Sequence, residues 1–311
     1  VTVSRGLGDV YKRQINNLPL SVIAILFMIV SGMFAASMHC LIRVAALESH
    51  PFQIAFFRTL FVLIIFLPVV MKDGLISLKV VDKKLQFLRA IVGSGAMCCM
   101  FYGISITELS KATALMFTVP IFSTILAILF LKEQVGIRRW TAMIIGFIGA
   151  IIVIRPDIQL GLGPLLILCG SFIWSMSLLI AKKLTTTESN ASMTFWQAAG
   201  LIPATFIVAI PFWSTPNLEQ LFLYLLVAIT GTMTHYCLNA ALAKADISSL
   251  LPLDYLRLIW SVSLGFIFFN EVPLITIWIG SAIIILSTSY IAYRQLKKSK
   301  QPLTNQLNPN L

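Results

Sequence analysis

Ten stretches of about twenty apolar residues, joined by short polar connectors, constrain this chain more than any other feature. They run 20–41, 52–71, 86–106, 112–131, 138–154, 162–181, 191–211, 220–242, 249–269 and 274–293. A helix that crosses the hydrocarbon core of a bilayer needs about 20 mostly apolar residues. Lipid offers backbone N–H and C=O groups no partners, so each apolar stretch must satisfy its own as helix. The pattern predicts an all-α integral membrane protein with ten transmembrane helices. Apolar residues make up 58% and charged residues 11% of the chain, against about 25% charged in soluble domains. The connectors carry turn residues (Asp73-Gly74, Arg155-Pro156-Asp157, Gly161 to Pro164, Pro211 to Asn217) and leave no room for a soluble domain.

Charge placement sets the expected orientation. With the N-terminus inside, the inner connectors hold Lys72, Lys79, Lys83, Lys84, Lys132, Arg138, Arg139, Lys182, Lys183, Lys244, Arg294, Lys297, Lys298 and Lys300; the outer ones hold Arg43, Lys111 and Arg155. Lysine and arginine favour the cytoplasmic side, so both termini are expected there. The same distribution argues that the net charge of +11 is topology information and that nucleic acid is no partner. Residues 1–14, VTVSRGLGDVYKRQ, read as an artefactual leader within 1–19, and residues 294–311 as a cytoplasmic polar tail. Cys40, Cys98, Cys99, Cys169 and Cys237 all fall in apolar segments without metal-ligand spacing, so they are expected reduced and buried, with no metal site.

Sliding the chain by 138 residues aligns it on itself without a gap. Gly32 meets Gly170, Gly93 meets Gly231, Cys99 meets Cys237, Ser123 meets Ser261, Glu133 meets Glu271 and Trp140 meets Trp278. One offset keeps five helix pairs in register, dividing the chain into repeats at 20–155 and 156–293. Five spans is an odd number, so the second copy enters the membrane from the opposite face. Such inverted repeats build many secondary transporters, with the site near the midplane between them.

The repeat, together with apolar helices that end in Phe130-Leu131-Lys132-Glu133 and Phe268-Phe269-Asn270-Glu271, resembles the drug/metabolite transporter superfamily, EamA type, over 20–293. His50 to Arg58, Thr118 to Phe122 and Leu253 to Leu256 are similar to the branch containing S-adenosylmethionine uptake transporters of intracellular bacteria, although Arg257 stands where that branch suggests an acidic residue. The resemblance implies a multi-pass protein of the bacterial cytoplasmic (inner) membrane. It also implies a proton- or exchange-coupled carrier of a small organic metabolite, such as an amino-acid derivative or S-adenosylmethionine, working without a bound cofactor.

Charges at membrane depth are the candidate site residues, because each costs about 2.5–3.5 kcal/mol on insertion scales. Asp254 and Arg257, at i and i+3, share a helical face and either neutralise each other or serve proton coupling and anion binding. Their repeat counterparts, Met116 and Val119, are apolar, so the architecture does not need the charges. Arg58 either binds a substrate carboxylate or phosphate, pairs with Asp254, or snorkels outward. Tyr255 is a candidate stacking residue beside Asp254, as are Tyr102, Trp174 and Trp196 elsewhere. His235 and Asn239, at i and i+4, are expected to face the cavity together, with His39 a weaker candidate. Arg89 reads as an inner-leaflet snorkelling residue, and Glu133 and Glu271 as structural helix ends. Pro120 and Pro252 cannot donate a backbone hydrogen bond; each either breaks its helix near a cavity or, for Pro252, sits in a first turn where proline is harmless.

The small-residue motifs at Gly93 to Ala96, Gly146 to Ala150 and Gly280 to Ala282 serve close helix packing, within one chain or in a homodimer. No Walker A motif appears, which argues against ATP-driven transport by this chain. The histidines and acids show no nucleophile–base or metal spacing, which argues against a membrane-embedded enzyme. A non-transporting receptor or scaffold would give no reason for Asp254.

Overall fold

The computed structural model describes residues 20–73, 78–154 and 161–270, with scattered positions from 275 to 290. The described residues are helical and contain no strand. The helices are α1 (Leu20–Ala45), α2 (Pro51–Asp73), α3 (Lys83–Ser105), α4 (Leu109–Met116), α5 (Thr118–Leu131), α6 (Ile137–Ile154), α7 (Leu162–Leu184), α8 (Asn190–Ala209), α9 (Leu218–Leu242), α10 (Ile247–Leu250) and α11 (Arg257–Phe269). Short 3₁₀ turns cover Ile210–Phe212 and Leu251–Leu256. Among the described residues, five helices are long and apolar enough to cross a membrane: Val22–Ala45, Lys83–Ser105, Leu162–Leu184, Asn190–Phe212 and Leu218–Leu242. Pro51–Phe66 and Thr118–Leu131 are shorter apolar helices. The expected tenth span, Glu271, Trp278, the Arg155–Asp157 turn and the two chain ends lie outside the described residues or nearly so.

The expected fourth and ninth spans are not continuous helices. The first is interrupted at Phe117, between α4 and α5. Pro120 explains the break: it has no N–H for the Met116 carbonyl, and its ring crowds that carbonyl. The Thr118 hydroxyl donates instead to the Leu115 carbonyl at 2.7 Å. The second is interrupted by the 3₁₀ turn, which opens with Pro252 in its first two positions. Both broken helices then end alike. Lys132 and Asn270 cap α5 and α11 in the left-handed conformation, each at φ 53°. Their amides donate to the Ala127 and Gly265 carbonyls. The two caps are 138 residues apart, as are the two accepting carbonyls.

The packing follows the same spacing. α3 lies against α7, and α9 against α1; α5 lies against α7, and α11 against α1; α2 packs on α8. Close approach depends on missing side chains. A Cβ on Gly103 would stand 2.6 Å from Ile167 Cγ1 and 3.2 Å from the Gly163 carbonyl. A Cβ on Gly146 would stand 2.5 Å from the Tyr255 ring, so this glycine is filled from within the chain.

Connectors are tied at both ends of the bundle. At one end Glu188 accepts from the Val81 and Asp82 amides at 2.6 and 3.0 Å. Glu133 accepts from the Ile247 amide at 3.2 Å, in keeping with a structural helix end. Lys182 Nζ donates to the Leu242 and Ala245 carbonyls at 2.7 and 2.8 Å, closing the end of α9. At the other end the Tyr224 hydroxyl donates to Ser49 at 2.6 Å. There His50 stacks on Phe212 at 3.8 Å, in a cluster with Phe52 and Tyr102.

Gly103→Val tests the α3–α7 contact, because backbone as well as side chain lies within reach of the new methyl groups. Overpacking of this kind costs about 1–3 kcal/mol, so the melting temperature of the purified protein should fall. An unchanged melting temperature would mean that α3 and α7 are further apart than described.

Candidate functional site

A cavity of about 110 Å³ lies among α1, α2, α3, α7, α8 and α9, and both broken helices reach it. Water needs roughly 15 Å³ by this kind of measure, so the space has room for several waters in this state and must widen to admit a larger metabolite. Asp254 and Arg257 line it, and so do Met116 and Val119, the positions that the 138-residue repeat matches to them. The 3₁₀ turn and the start of α11 thus face the break between α4 and α5 across one space.

Arg257 Nη2 lies 3.1 Å from Asp254 Oδ2. The pair is about nine-tenths buried, with side chains 10% and 13% exposed. Gly32 leaves room for it: a Cβ there would be 3.6 Å from Arg257 Cβ and 3.9 Å from Asp254 Oδ1. The Arg257 guanidinium sits 5.7 Å from the Phe117 ring centre. Arg58 also lines the cavity and is 6% exposed. It makes no ion pair with Asp254 or with any other described carboxylate. Its Nη1 donates to Met97 Sδ at 3.2 Å, and the guanidinium lies 5.8 Å from the Phe101 ring centre. Arg58 is therefore a cavity residue rather than a snorkelling one.

Buried polar atoms nearly always have partners. Around this cavity, five have none: His39 Nδ1, Arg58 Nε, Gln197 Oε1, His235 Nδ1 and Arg257 Nε. They belong to residues on α1, α2, α8, α9 and α11 that all line this one space. His235 also packs beside Trp174, ring centres 5.4 Å apart, and Trp174 lines the cavity. No group of three or more His, Cys, Asp or Glu side chains among the described residues is placed to hold a metal.

Other expected site residues are placed elsewhere. Asn239 is fully buried but does not line the cavity. Its Nδ2 donates to Thr194 Oγ1 at 3.1 Å, and its Oδ1 accepts from Arg89 Nη2 at 3.2 Å. Successive i, i+4 positions differ by about 40° and 6 Å along the axis, enough to put His235 on the cavity and Asn239 on the α8 contact. Arg89 does not snorkel: it is 1% exposed and also donates to the Met193 carbonyl at 3.3 Å. Tyr255 is fully buried, wedged on Gly146 and edge-on to Phe117 at 5.0 Å. Its hydroxyl donates to the Met143 carbonyl at 3.1 Å, and it does not line the cavity. The Trp196 indole donates to the Leu78 carbonyl at 2.6 Å, and Tyr102 joins the His50 cluster. Gln197 was not among the expected site residues. Its signal was its place beside Trp196, the repeat counterpart of Arg58.

A helical bundle of membrane-length apolar helices around a largely apolar internal cavity that holds a few charged side chains fits one class of protein, a membrane transporter. The pattern of the EamA-like transporter family matches residues 22–155 and again 161–293. The chain belongs to that family. It is a multi-pass inner-membrane transporter of a small molecule, not an enzyme. A relative from Rickettsia bellii (strain RML369-C), the S-adenosylmethionine uptake transporter, is 33% identical over 254 residues, covering 80% of this chain and 86% of that protein. A riboflavin transporter from Vibrio cholerae serotype O1 is 34% identical over 193 residues, covering 61% of this chain and 65% of that protein. A solved crystal structure with 13% identity superposes with a TM-score of 0.70 over 90% of this chain and 97% of that one, a likeness of fold alone.

Tyr255→Phe removes one hydrogen bond and should cost about 0.5–1.5 kcal/mol. Asn239→Leu leaves a charged donor short of an acceptor and should cost about 1–3 kcal/mol. Thermal unfolding reads both losses, and ligand affinity of the folded variants should not change. A loss of affinity in well-folded Tyr255→Phe would return that residue to the site.

Proposed function

We propose that the chain is a secondary carrier that moves a small organic metabolite by alternating access. Ten spans form two inverted repeats, 20–155 and 156–293, with both termini cytoplasmic. The observation that carries this reading is one internal cavity, lined from both halves of the chain, that gathers Arg58, the Asp254–Arg257 pair, His39, His235 and Gln197, five of them with a polar atom left without a partner. Charged and polar groups gathered on an internal space suit a polar ligand. The 138-residue recurrence of helices, contacts and left-handed caps supports the repeat. The Lys and Arg bias of the connectors supports the orientation.

Arg58, Asp254, Arg257 and His235 form the binding site, joined by His39 and Gln197. The names of the relatives point to S-adenosylmethionine or another metabolite of that size as substrate. Asp254 is the coupling residue. It belongs to a 3₁₀ turn between two helices, a segment whose backbone hydrogen bonds are more easily exchanged than those of a long helix. Holding Arg257 in one access state and releasing it in the other would let protonation or substrate binding drive the exchange.

Purified protein in proteoliposomes, tested with labelled S-adenosylmethionine and riboflavin under proton gradients and in counter-exchange, checks the proposal. Asp254→Asn should insert normally and lose gradient-driven accumulation. Accumulation equal to wild type would remove Asp254 from coupling. If neither compound moves under any gradient or in exchange, the carrier reading with these substrates is sunk.

A further inference from the structure

Two polar side chains of the cavity, of different chemistry, are held on one plan. On α9, Gly231 faces Arg58: a Cβ there would be 2.7 Å from Nε and 2.9 Å from Nη2. On α3, Gly93 faces Gln197: a Cβ there would be 3.3 Å from Nε2. Gly93 and Gly231 are 138 residues apart, matched by the repeat. Each glycine is therefore a cradle in which a polar side chain from α2 or α8 is laid against a helix backbone. Arg58 is 6% and Gln197 4% exposed, both line the cavity, and each keeps one unpartnered polar atom, Arg58 Nε and Gln197 Oε1.

Their charges differ. The other arginine on the cavity, Arg257, has Asp254 as its counter-ion. Arg58 has only a thioether acceptor, Met97 Sδ, and sulfur accepts weakly. A buried guanidinium without a counter-ion is costly, and an arginine fork matches a carboxylate bidentately. Gln197 presents an amide oxygen, an acceptor for a neutral or cationic donor.

We propose that one ligand engages both cradles, its carboxylate on Arg58 and a hydrogen-bond donor group on Gln197. Met38, Met100 and Met116 line the space with polarizable side chains that adapt to a thioether or a planar ring. The ligand class is thus a monocarboxylate that also carries N–H or O–H donors, rather than a neutral ring system with no carboxylate. The inference deepens the carrier reading and rests on it for the choice of cavity. Its test reads binding, so that it stands or falls apart from transport.

The full-length purified protein is assayed in detergent by thermal shift and by competition. The probes are S-adenosylmethionine, decarboxylated S-adenosylmethionine (which differs from it only in the lost carboxylate) and riboflavin, with methionine, glutamate and lactate as further carboxylates. A carboxylate should stabilise the wild type, and decarboxylated S-adenosylmethionine should bind at least about tenfold more weakly than its parent. Arg58→Gln should erase that ratio, and Arg58→Lys should keep part of it. Gly231→Ala guards against misfolding of the arginine variants. Its methyl group pushes aside the end of a flexible side chain rather than backbone, so the fold should hold while the ratio narrows. Gln197→Leu should weaken S-adenosylmethionine and its decarboxylated form by the same factor. Equal binding of the two forms by wild type overturns the proposal, as does a ratio that survives both Arg58→Gln and Gly231→Ala. Failure of all four carboxylates to bind overturns it too. Carboxylate-selective binding without transport in proteoliposomes would overturn the carrier reading and leave this proposal standing.

Discussion

Three buried arginines set the problem that the described part of this bundle solves. Burial takes each guanidinium out of water, so its donors need partners within the protein. Arg257 meets a carboxylate at 3.1 Å. Arg89 meets neutral oxygens, the Met193 carbonyl and the Asn239 side chain. Arg58 meets a thioether through Nη1, and its buried Nε–H has no partner. Arg89 joins α3 to α8 and α9, and the ion pair ties the 3₁₀ turn to the start of α11. All three keep an Nε–H without a partner. What sets Arg58 apart is that it lines the cavity with neither a carboxylate nor an oxygen acceptor against its guanidinium.

The repeat explains how an open site is held without collapse. Lipid gives helices no hydrophobic reason to pack on one another, so close packing of small residues must do it. Here the glycines act in pairs that the repeat relates. Gly32 and Gly170 each admit groups from the other half: Gly32 lies against Asp254 and Arg257, and Gly170 against Met100 and Cys99. Gly93 and Gly231 admit the two polar side chains of the cavity. Glycines and left-handed caps thus recur at the 138-residue spacing among the described residues, while the side chains laid on them differ.

Much of this was legible in the amino-acid sequence, for physical reasons that can be named. Helix length and apolar content follow from bilayer thickness, which is why α1, α3, α7, α8 and α9 fall where the apolar stretches do. The Asp254–Arg257 contact follows from helical spacing, and 3₁₀ spacing preserves it. Other features depend on rotation and depth, which spacing alone does not supply. His235 and Asn239 share a broad face, yet only one reaches the cavity. Arg89 lies close enough to a helix start to suggest snorkelling, but α8 and α9 cover it. Tyr255 neighbours Asp254 in the chain and points the opposite way, onto Gly146. The interruption at Phe117 was foreshadowed by Pro120, while continuous apolar character around it argued for an unbroken span.

The matched positions separate stability from function. Met116 and Val119 line the same cavity as Asp254 and Arg257 from the other half of the chain, and they do so with apolar side chains. Both broken helices reach the same left-handed cap, whether or not charges stand in them. The charges are therefore not what breaks the ninth stretch or shapes its end; the prolines and the caps do that. An ion pair at this depth has to recover the cost of removing two charges from water, and apolar residues of similar volume commonly do as well or better. Its presence in one half only, beside an arginine that has no counter-ion, places the cost where a polar ligand would offset it.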